Sequence, residues 1–305
     1  MTAQTLLVPS ELEGPLDRAV RALFGVSWGK ARAWIAAGKV CVGGVVVTEP
    51  TTRVLRGADI RFDVRARKPR ATGLSDGDVV HVDAHVVVVA KPAGVSTVPY
   101  DETDTDTLDA RVRAWLARGP GVARGTRPSL GIVHRLDKET TGLVVFTRSW
   151  LAKQSLSLQF RKHTVHRAYR AIAHGDVATR TIRSFLVENR GDGLRGSARG
   201  TPPADAREAT THVERLERLA GATLVGCRLE TGRTHQIRIH LSESGNPIVG
   251  ERVYIRHWAG KPIEAPRLML HAAELGFIHP ATEREMRWEQ PLPKDMEDVA
   301  ARLRS

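Results

Sequence analysis

No stretch of this sequence approaches the ~18 consecutive apolar residues that a membrane-crossing helix needs. Met1 to Pro9 lack a basic start followed by an apolar run, so no secretory leader is expected. Cysteine occurs only 2 times in 305 residues. Cys41 and Cys227 sit in separate apolar, strand-like runs and are expected as buried free thiols. Neither a disulfide framework nor zinc spacing can be built from them. Nucleotide fingerprints are missing too, because the glycines from Gly119 to Gly125 are wrongly spaced and follow a helical pattern rather than a strand. His-Glu-x-x-His does not occur, which ranks a zinc hydrolase low. The acidic run Asp101 to Asp106 lacks the glycine and final glutamate of a calcium loop. It reads as a solvated loop leading into a helix around Leu108 to Leu116.

Acid is also the minority charge. Lys and Arg number 46 against 34 Asp and Glu, a formal charge of +12 and a pI near 10.3. This balance points to a polyanionic partner, nucleic acid before membrane surface, and to a soluble, cytoplasmic chain.

The length allows about two domains. In residues 11–37, Leu12, Leu16, Ala19, Val20, Leu23 and Phe24 recur at helical spacing. Ser27 offers an N-cap to a second helix through Ala31, Trp34 and Ile35, and Gly38 stops it. Val40-Cys41-Val42 and Val45-Val46-Val47 flank Gly43-Gly44, a hairpin signal, and Asp59 to Val64 adds a strand. Arg65 to Ser75, with Arg67, Lys68 and Arg70, reads as a basic linker. The expected division is 1–64, linker 65–75, and 76–305.

The larger part is organised around residues 131–148. Ile132-Val133 and Leu143-Val144-Val145-Phe146 read as apolar strands, with His134-Arg135-Leu136-Asp137-Lys138-Glu139-Thr140-Thr141 between them. A turn between two buried strands is a rigid place for a reactive group. Asp137 is bracketed by Arg135 and Lys138, cations that favour its charged form. A positioned carboxylate can act as nucleophile or base. The plainer reading is a turn former with a surface ion pair.

Further along, Val86 to Ala90 is a strand running into Lys91-Pro92-Ala93-Gly94, and Ser149 caps a helix through Leu151, Leu156 and Phe160. Val165 to Ala173 alternates like a strand and carries Tyr169. Glu188 to Ala206 lacks periodicity and reads as a mobile basic loop. Strands Thr211 to Leu219 and Thr223 to Leu229 lead to Thr231-Gly232-Arg233-Thr234-His235-Gln236-Ile237-Arg238. Thr231 or Thr234 would start a helix there, with Arg238 off its apolar face. The histidines of this run have no carboxylate or thiolate at ligand spacing, so no metal is expected. Arg267 to Ala272 and Leu275 to Pro280 read as strands, and a helix follows Pro293.

His134-Arg135-Leu136-Asp137 followed by Thr141-Gly142-Leu143 resembles the signature of RluA-type pseudouridine synthases. The likeness continues at Lys91 to Gly94, at Tyr169, at Thr231 to Leu241 and at Leu270, over roughly residues 80–295. The helix-helix-hairpin piece before it resembles an S4 RNA-binding domain. These resemblances imply an α+β fold with a mixed, largely antiparallel central sheet and a small N-terminal S4-like α/β domain. They imply an isomerase that needs neither cofactor nor metal.

By the same resemblance Asp137 is catalytic, Arg238 pairs with it, and Tyr169 lines the active site. Leu270 packs near the target base, Arg135 fills the space the base leaves, and His134 and Arg233 belong to the substrate site. Lys30, Arg32 and Lys39 match positions that S4 domains set on RNA. Whether Asp137 attacks C1′ or removes a sugar proton stays open. The S4-like piece favours a structured RNA, ribosomal before transfer RNA, and a monomer is expected. The alternative is a non-catalytic RNA-binding or ribosome-assembly protein on a synthase fold. Two departures stand out. Arg167 replaces the usual Lys, and Gly250-Glu251-Arg252-Val253-Tyr254-Ile255 replaces Gly-Asp-x-x-Tyr-Gly, leaving the conformation after Gly250 open.

Overall fold

Pro15 decides where the first helix begins. Apolar spacing extends the helical pattern back to Leu12, but Gly14–Pro15 pairs as a short strand with Arg53–Val54. Proline is tolerated only at a helix start, so the helix runs Leu16–Phe24. Ser27 caps the next helix, Trp28–Ala36, its hydroxyl accepting the Lys30 N–H at 3.3 Å. Gly43 and Gly44, with φ of 56° and 77°, turn Val40–Val42 back onto Val45–Val46. A strand that the sequence did not announce, Gln4–Leu7, pairs antiparallel with Asp59–Phe62. The resulting sheet runs Gln4–Leu7, Asp59–Phe62, Val40–Val42, Val45–Val46. Leu16, Val20, Ala31, Ile35, Ile60 and Phe62 fill its core.

This computed structural model describes residues 4–48, 50, 52–66, 73–101, 104–119, 123, 125, 127–255 and 258–304. The chain divides into two compact units, 1–72 and 73–305. Of the basic linker, Arg67, Lys68 and Arg70 lie outside the described residues, as do Glu102 and Thr103 of the acidic run and Gly121 of the glycine stretch. No helix of the described residues is long and apolar enough to cross a membrane.

In the second unit the central strand Thr141–Thr147 is buried along its whole length. Alternate residues serve opposite faces of the sheet, as strand geometry requires. Val144 and Phe146 join one core with Leu108, Val112 and Val299, while Leu143 and Val145 join another with Ala152 and Leu156. Val87 and Val89 against Val86 and Val88 repeat the division on the neighbouring strand. Helices Leu108–Leu116 and Lys294–Arg304 therefore cover one face and Trp150–Arg161 the other. Ser149 caps the last of these, accepting the Ala152 N–H at 3.2 Å.

The sheet runs Gly196–Ser197, Arg180–Val187, Arg207–Leu219, Ala222–Leu229, His166–His174, Leu270–Ile278, Thr141–Thr147, Val86–Lys91, Val79–Val82. Gly131–Ile132 pairs beside Thr141–Thr147, and Glu285–Glu289 beside Leu270–Ile278. Among the described ladders of this sheet only one is parallel, Thr141↔His271 and Gly142↔Ala272. The sheet is thus mixed and largely antiparallel, and the class is α+β, as the resemblance implied. Gly142 makes that junction possible. Its φ is 112°, and a Cβ there would lie 2.2 Å from the Ala272 carbonyl oxygen. Only glycine lets the two backbones meet, and their meeting sets the turn 134–140 beside Leu270.

Two local expectations need correction. Residues 188–198 are tied to the sheet edge rather than forming an unanchored loop. Gly196–Ser197 pairs with Leu186–Val187, Arg190 bonds Asp192 and Glu243, and Ser197 also bonds Glu243. Three well-placed partners hold this segment where periodicity offered no signal. Cys227 is buried, and burial pushes its thiol up to about 12, but Cys41 is only half-buried.

Candidate active site

The Asp137 turn is fixed from two sides. Lys91 is buried, and its ammonium donates to the carbonyls of Pro92, Val95 and Lys138 at 2.8–2.9 Å. Gly94 N–H meets the same Lys138 carbonyl at 2.9 Å. Thr97 grips Leu136, its hydroxyl donating to the Leu136 carbonyl and accepting the Leu136 N–H. Burial pushes the Lys91 ammonium down to about 7, although Glu139 and Asp137 pull the other way. Lys91 therefore ties the end of one strand to the loop that presents Asp137. Lys91→Met keeps the stem and removes three bonds, each worth about 1 kcal/mol. We expect a thermal midpoint roughly 5–10 °C lower in calorimetry and slower turnover, since the loop loses its tether.

The Asp137 carboxylate meets a guanidinium and an imidazole. Arg238 Nη1 donates to Oδ2 at 3.3 Å, and His235 Nε2 lies 3.7 Å from Oδ1. Each has its own support. Glu251, whose side chain is wholly buried, accepts Arg238 Nε and Nη2 at 2.8 Å each. The same carboxylate accepts the N–H groups of Arg252, Val253 and Tyr254. Tyr254 Oη sits 2.7 Å from His235 Nδ1, and its ring lies under the Arg238 guanidinium at 5.3 Å. Burial raises the Glu251 carboxyl, but Arg238 and the backbone donors outweigh it and hold the group below the usual carboxylate range. For His235, burial lowers the imidazole against the pull of Asp137.

The departure from the family pattern at Glu251 thus keeps the loop in shape. Gly250 has φ of 84°, and a Cβ would strike the Arg267 carbonyl oxygen at 1.9 Å. Glu251 folds the following backbone around its own carboxylate. One loop, Gly250 to Tyr254, supports both partners of Asp137. His235 itself takes φ of 59° and is the N-cap residue of helix Gln236–Glu243. Neither threonine starts this helix. Gln236 Oε1 instead accepts the Thr231 hydroxyl and the Arg233 N–H, ordering the approach.

A cleft of about 500 Å³ opens over the carboxylate. Asp137, Tyr169, Arg238, Arg135, His134, Leu270 and Arg233 all line it. Tyr169 and Leu270 are buried on adjacent strands, and Arg135 is exposed. Burial pushes the Tyr169 phenol up, so it keeps its proton at neutral pH. His134 Nε2 accepts the Val145 N–H at 3.0 Å, and its ring stacks on Phe160 at 4.7 Å. Burial lowers this imidazole to about 3, so the ring is neutral. No group of side chains among the described residues is arranged to hold a metal ion.

The profile of the RNA pseudouridylate synthase family matches residues 85–243 of this chain, across the Asp137 turn, Tyr169 and Arg238. The chain belongs to that family. As a pseudouridine synthase it breaks the uracil N1–C1′ bond, turns the base and rejoins it through C5. The S4 domain profile matches residues 14–60. The ribosomal large subunit pseudouridine synthase D of Neisseria meningitidis is 34% identical over 98% of this chain and 81% of its own. Its Pseudomonas aeruginosa namesake is 35% identical over 94% of this chain and 92% of its own. The solved human RNA pseudouridylate synthase domain containing 4 superposes with a TM-score of 0.59 at 25% identity, covering 75% of this chain and 93% of the human one.

Lys30, Arg32 and Lys39 belong to the other unit. Lys30 Nζ sits over the Trp34 ring at 5.3 Å. Arg32 pairs with the buried Asp17 at 2.8 Å and leans over Trp28. Lys39 is half-buried at the turn after the second helix.

Sequence reasoning on this synthase missed His235, Glu251, Tyr254 and the tether at Lys91. His235 is the N-cap residue three positions before Arg238, so both reach Asp137 from the start of one helix. Glu251 and Lys91 gave no such local signal, because the partners that tie them to the site, Arg238 and the Lys138 carbonyl, lie 13 and 47 positions away.

Proposed function

We propose that this synthase converts uridines of ribosomal RNA to pseudouridine in the cleft over Asp137. The observation that carries the site is Asp137 itself, a carboxylate braced by Arg238 and His235 beneath a cleft walled by Tyr169 and Leu270. In this reading Asp137 is the catalytic carboxylate and Arg238 orients it. Tyr169 and Leu270 sandwich the uracil, and the protonated Tyr169 phenol serves the proton balance, in which C5 loses a proton and N1 gains one. Arg135 and His134 line the place of the extruded base, and Arg233 meets the strand beside it. Extrusion costs a few kcal/mol, least in loops and bulges.

The ribosomal assignment rests on two supports. Relatives of this chain carry that substrate in their names, and the S4 domain adds RNA-binding surface that a small transfer RNA loop does not require. The chain acts as a cytoplasmic monomer in this reading, divided at 1–64, 65–75 and 76–305. Lys30, Arg32 and Lys39 supply affinity and placement rather than chemistry.

Mapping pseudouridine in RNA from deletion and parent cells tests the substrate. The expected result is a missing ribosomal pseudouridine. A missing transfer RNA site instead would overturn the assignment. Lys30→Gln with Lys39→Gln in the full chain tests the S4 surface. Each lost phosphate contact should reduce the slope of log affinity against log salt by roughly 0.7–0.9. An unchanged slope leaves those lysines off the RNA.

A further inference from the structure

Arg167 is buried in the wall of the cleft, 8% exposed, and no carboxylate of the described residues pairs with it. Arg267, at 5% exposed, shows how this fold otherwise handles a buried guanidinium, since Asp295 holds it with two bonds of 2.6 and 2.7 Å. Among the described residues Arg167 has only a carbonyl bond to Glu230 at 3.2 Å and a place over the Phe160 ring at 5.7 Å. Its Nε has no hydrogen-bond partner among them. A buried guanidinium without a counter-charge is costly, and this one lines a cleft from which a ligand can supply the missing charge.

The surroundings keep the guanidinium in place and keep its neighbourhood positive. Gly232 has no left-handed φ, so its lack of a side chain serves space. A Cβ there would lie 2.4 Å from Arg167 Nη1. Phe160, stacked on His134 behind it, gives the guanidinium a flat support. Arg161, His163 and Arg233 line the same cleft. Burial, then the charges of Arg167 and Arg233, lower the His163 imidazole. Uracil is neutral and cannot balance this charge. A phosphodiester can, and the planar fork of arginine matches its oxygens.

We propose that Arg167, flanked by His163 and Arg233, binds the RNA backbone phosphate adjoining the uridine that enters the cleft. This rests on the reading of the Asp137 cleft as the active centre. Arg167 is a substrate-binding residue in this account. It lowers KM and leaves the chemical step to Asp137.

The test compares the full-length parent with Arg167→Met and Arg167→Lys. The RNA is a stem-loop carrying the mapped target uridine. It is made with natural phosphates, or with a neutral methylphosphonate on the 5′ or the 3′ side of that uridine. For the parent, one of the two methylphosphonates should raise KM about 10- to 100-fold, the weight of a charge-assisted bond, with kcat changed only a few-fold. Arg167→Met should raise KM as much on natural RNA and lose nothing further on that methylphosphonate. Arg167→Lys should fall between. The thermal midpoint of Arg167→Met should stay level or rise, because an uncompensated buried charge has gone.

Losses that multiply, or a parent indifferent to both methylphosphonates, would overturn the proposal. So would an Arg167→Met chain that fails to fold, since the charge would then serve the fold. Asp137→Asn, run alongside, separates the two readings. Turnover by that variant defeats the active-centre assignment, whereas an inert Asp137→Asn with uncoupled Arg167 defeats only the phosphate site.

Discussion

Asp137→Asn should abolish pseudouridine formation while leaving the protein folded and able to bind RNA. The substitution keeps the shape of the side chain and removes its charge. Loss of an acid–base group at the reacting atoms costs up to about 10⁴-fold, and loss of a nucleophile up to about 10⁶-fold. The effect on the fold should be small. Arg238 keeps its two bonds to Glu251, and the 3.3 Å contact to Asp137 is the weaker of its links. The turn keeps its shape through Thr97, Lys91 and the Thr140 N–H, which bonds the Asp137 carbonyl at 3.1 Å. The cost in stability should be about 1 kcal/mol, the range of a partly solvated ion pair, or roughly 2–4 °C in midpoint. The measurement is product formed by purified variant against parent, with calorimetry and RNA binding beside it. Substantial pseudouridine from Asp137→Asn would remove the carboxylate from the mechanism. A collapsed midpoint would show that Asp137 holds the turn, and the kinetic result would then say nothing of chemistry.

What could be read in advance follows the range of the forces involved. Ser27, Ser149 and the Gly43-Gly44 turn were legible because each acts within four residues of itself. The strand Thr141–Thr147 was legible because two buried faces leave an unbroken apolar run. The Asp137 turn was legible through a family likeness, since local spacing alone left it an ordinary turn. The junction of Gly142 with Ala272 was not, because it joins residues far apart in the chain. Lys91 was read only as the end of a strand within a family motif, although it is among the largest fully buried side chains. Its worth lies in a carbonyl 47 positions away. Pro15 shows the converse, a local rule that outweighed a plausible periodicity.

The same limit explains why the supports of Asp137 came as a surprise. The sequence placed Arg238 beside the catalytic turn only through resemblance, and it registered Glu251 as a deviation. The structure makes Glu251 the group that aims Arg238. Two parallel N–H···O bonds fix the plane of the guanidinium. A plane fixed in this way presents the remaining Nη1 to Asp137 at no further cost in side-chain freedom. Glu251 does not line the cleft. In the proposed mechanism it acts on the reaction through Arg238.

Arg238→Ala should therefore do two kinds of damage. It removes the partner of Asp137, and misplacing a reacting group by even 1 Å can cost about 100-fold in rate. It also leaves Glu251 buried and unpaired, and breaking a buried pair costs about 3–5 kcal/mol. Arg238→Lys should recover only part of either, because a lysine cannot make the forked contact. Replacing both members separates the two effects. In Arg238→Met with Glu251→Met, no charge remains stranded, so stability should recover in part, stopping short of the parent because the N–H groups of Arg252, Val253 and Tyr254 lose their acceptor. Turnover should stay low, because Asp137 still lacks its cation. If turnover returned together with stability, Arg238 would serve the fold alone. Glu251→Gln adds a pH signature. The folded carboxyl lies below its unfolded value, so its contribution is complete above about pH 4.3 and fades as pH falls through the lowered value. The midpoint of the parent should thus drop on acidification below that point, and that of Glu251→Gln should drop less. With the amide in place Arg238 loses its second charge-assisted bond, so kcat should fall although Glu251 never touches the RNA. Parent-like kcat in Glu251→Gln would refute the route through Arg238.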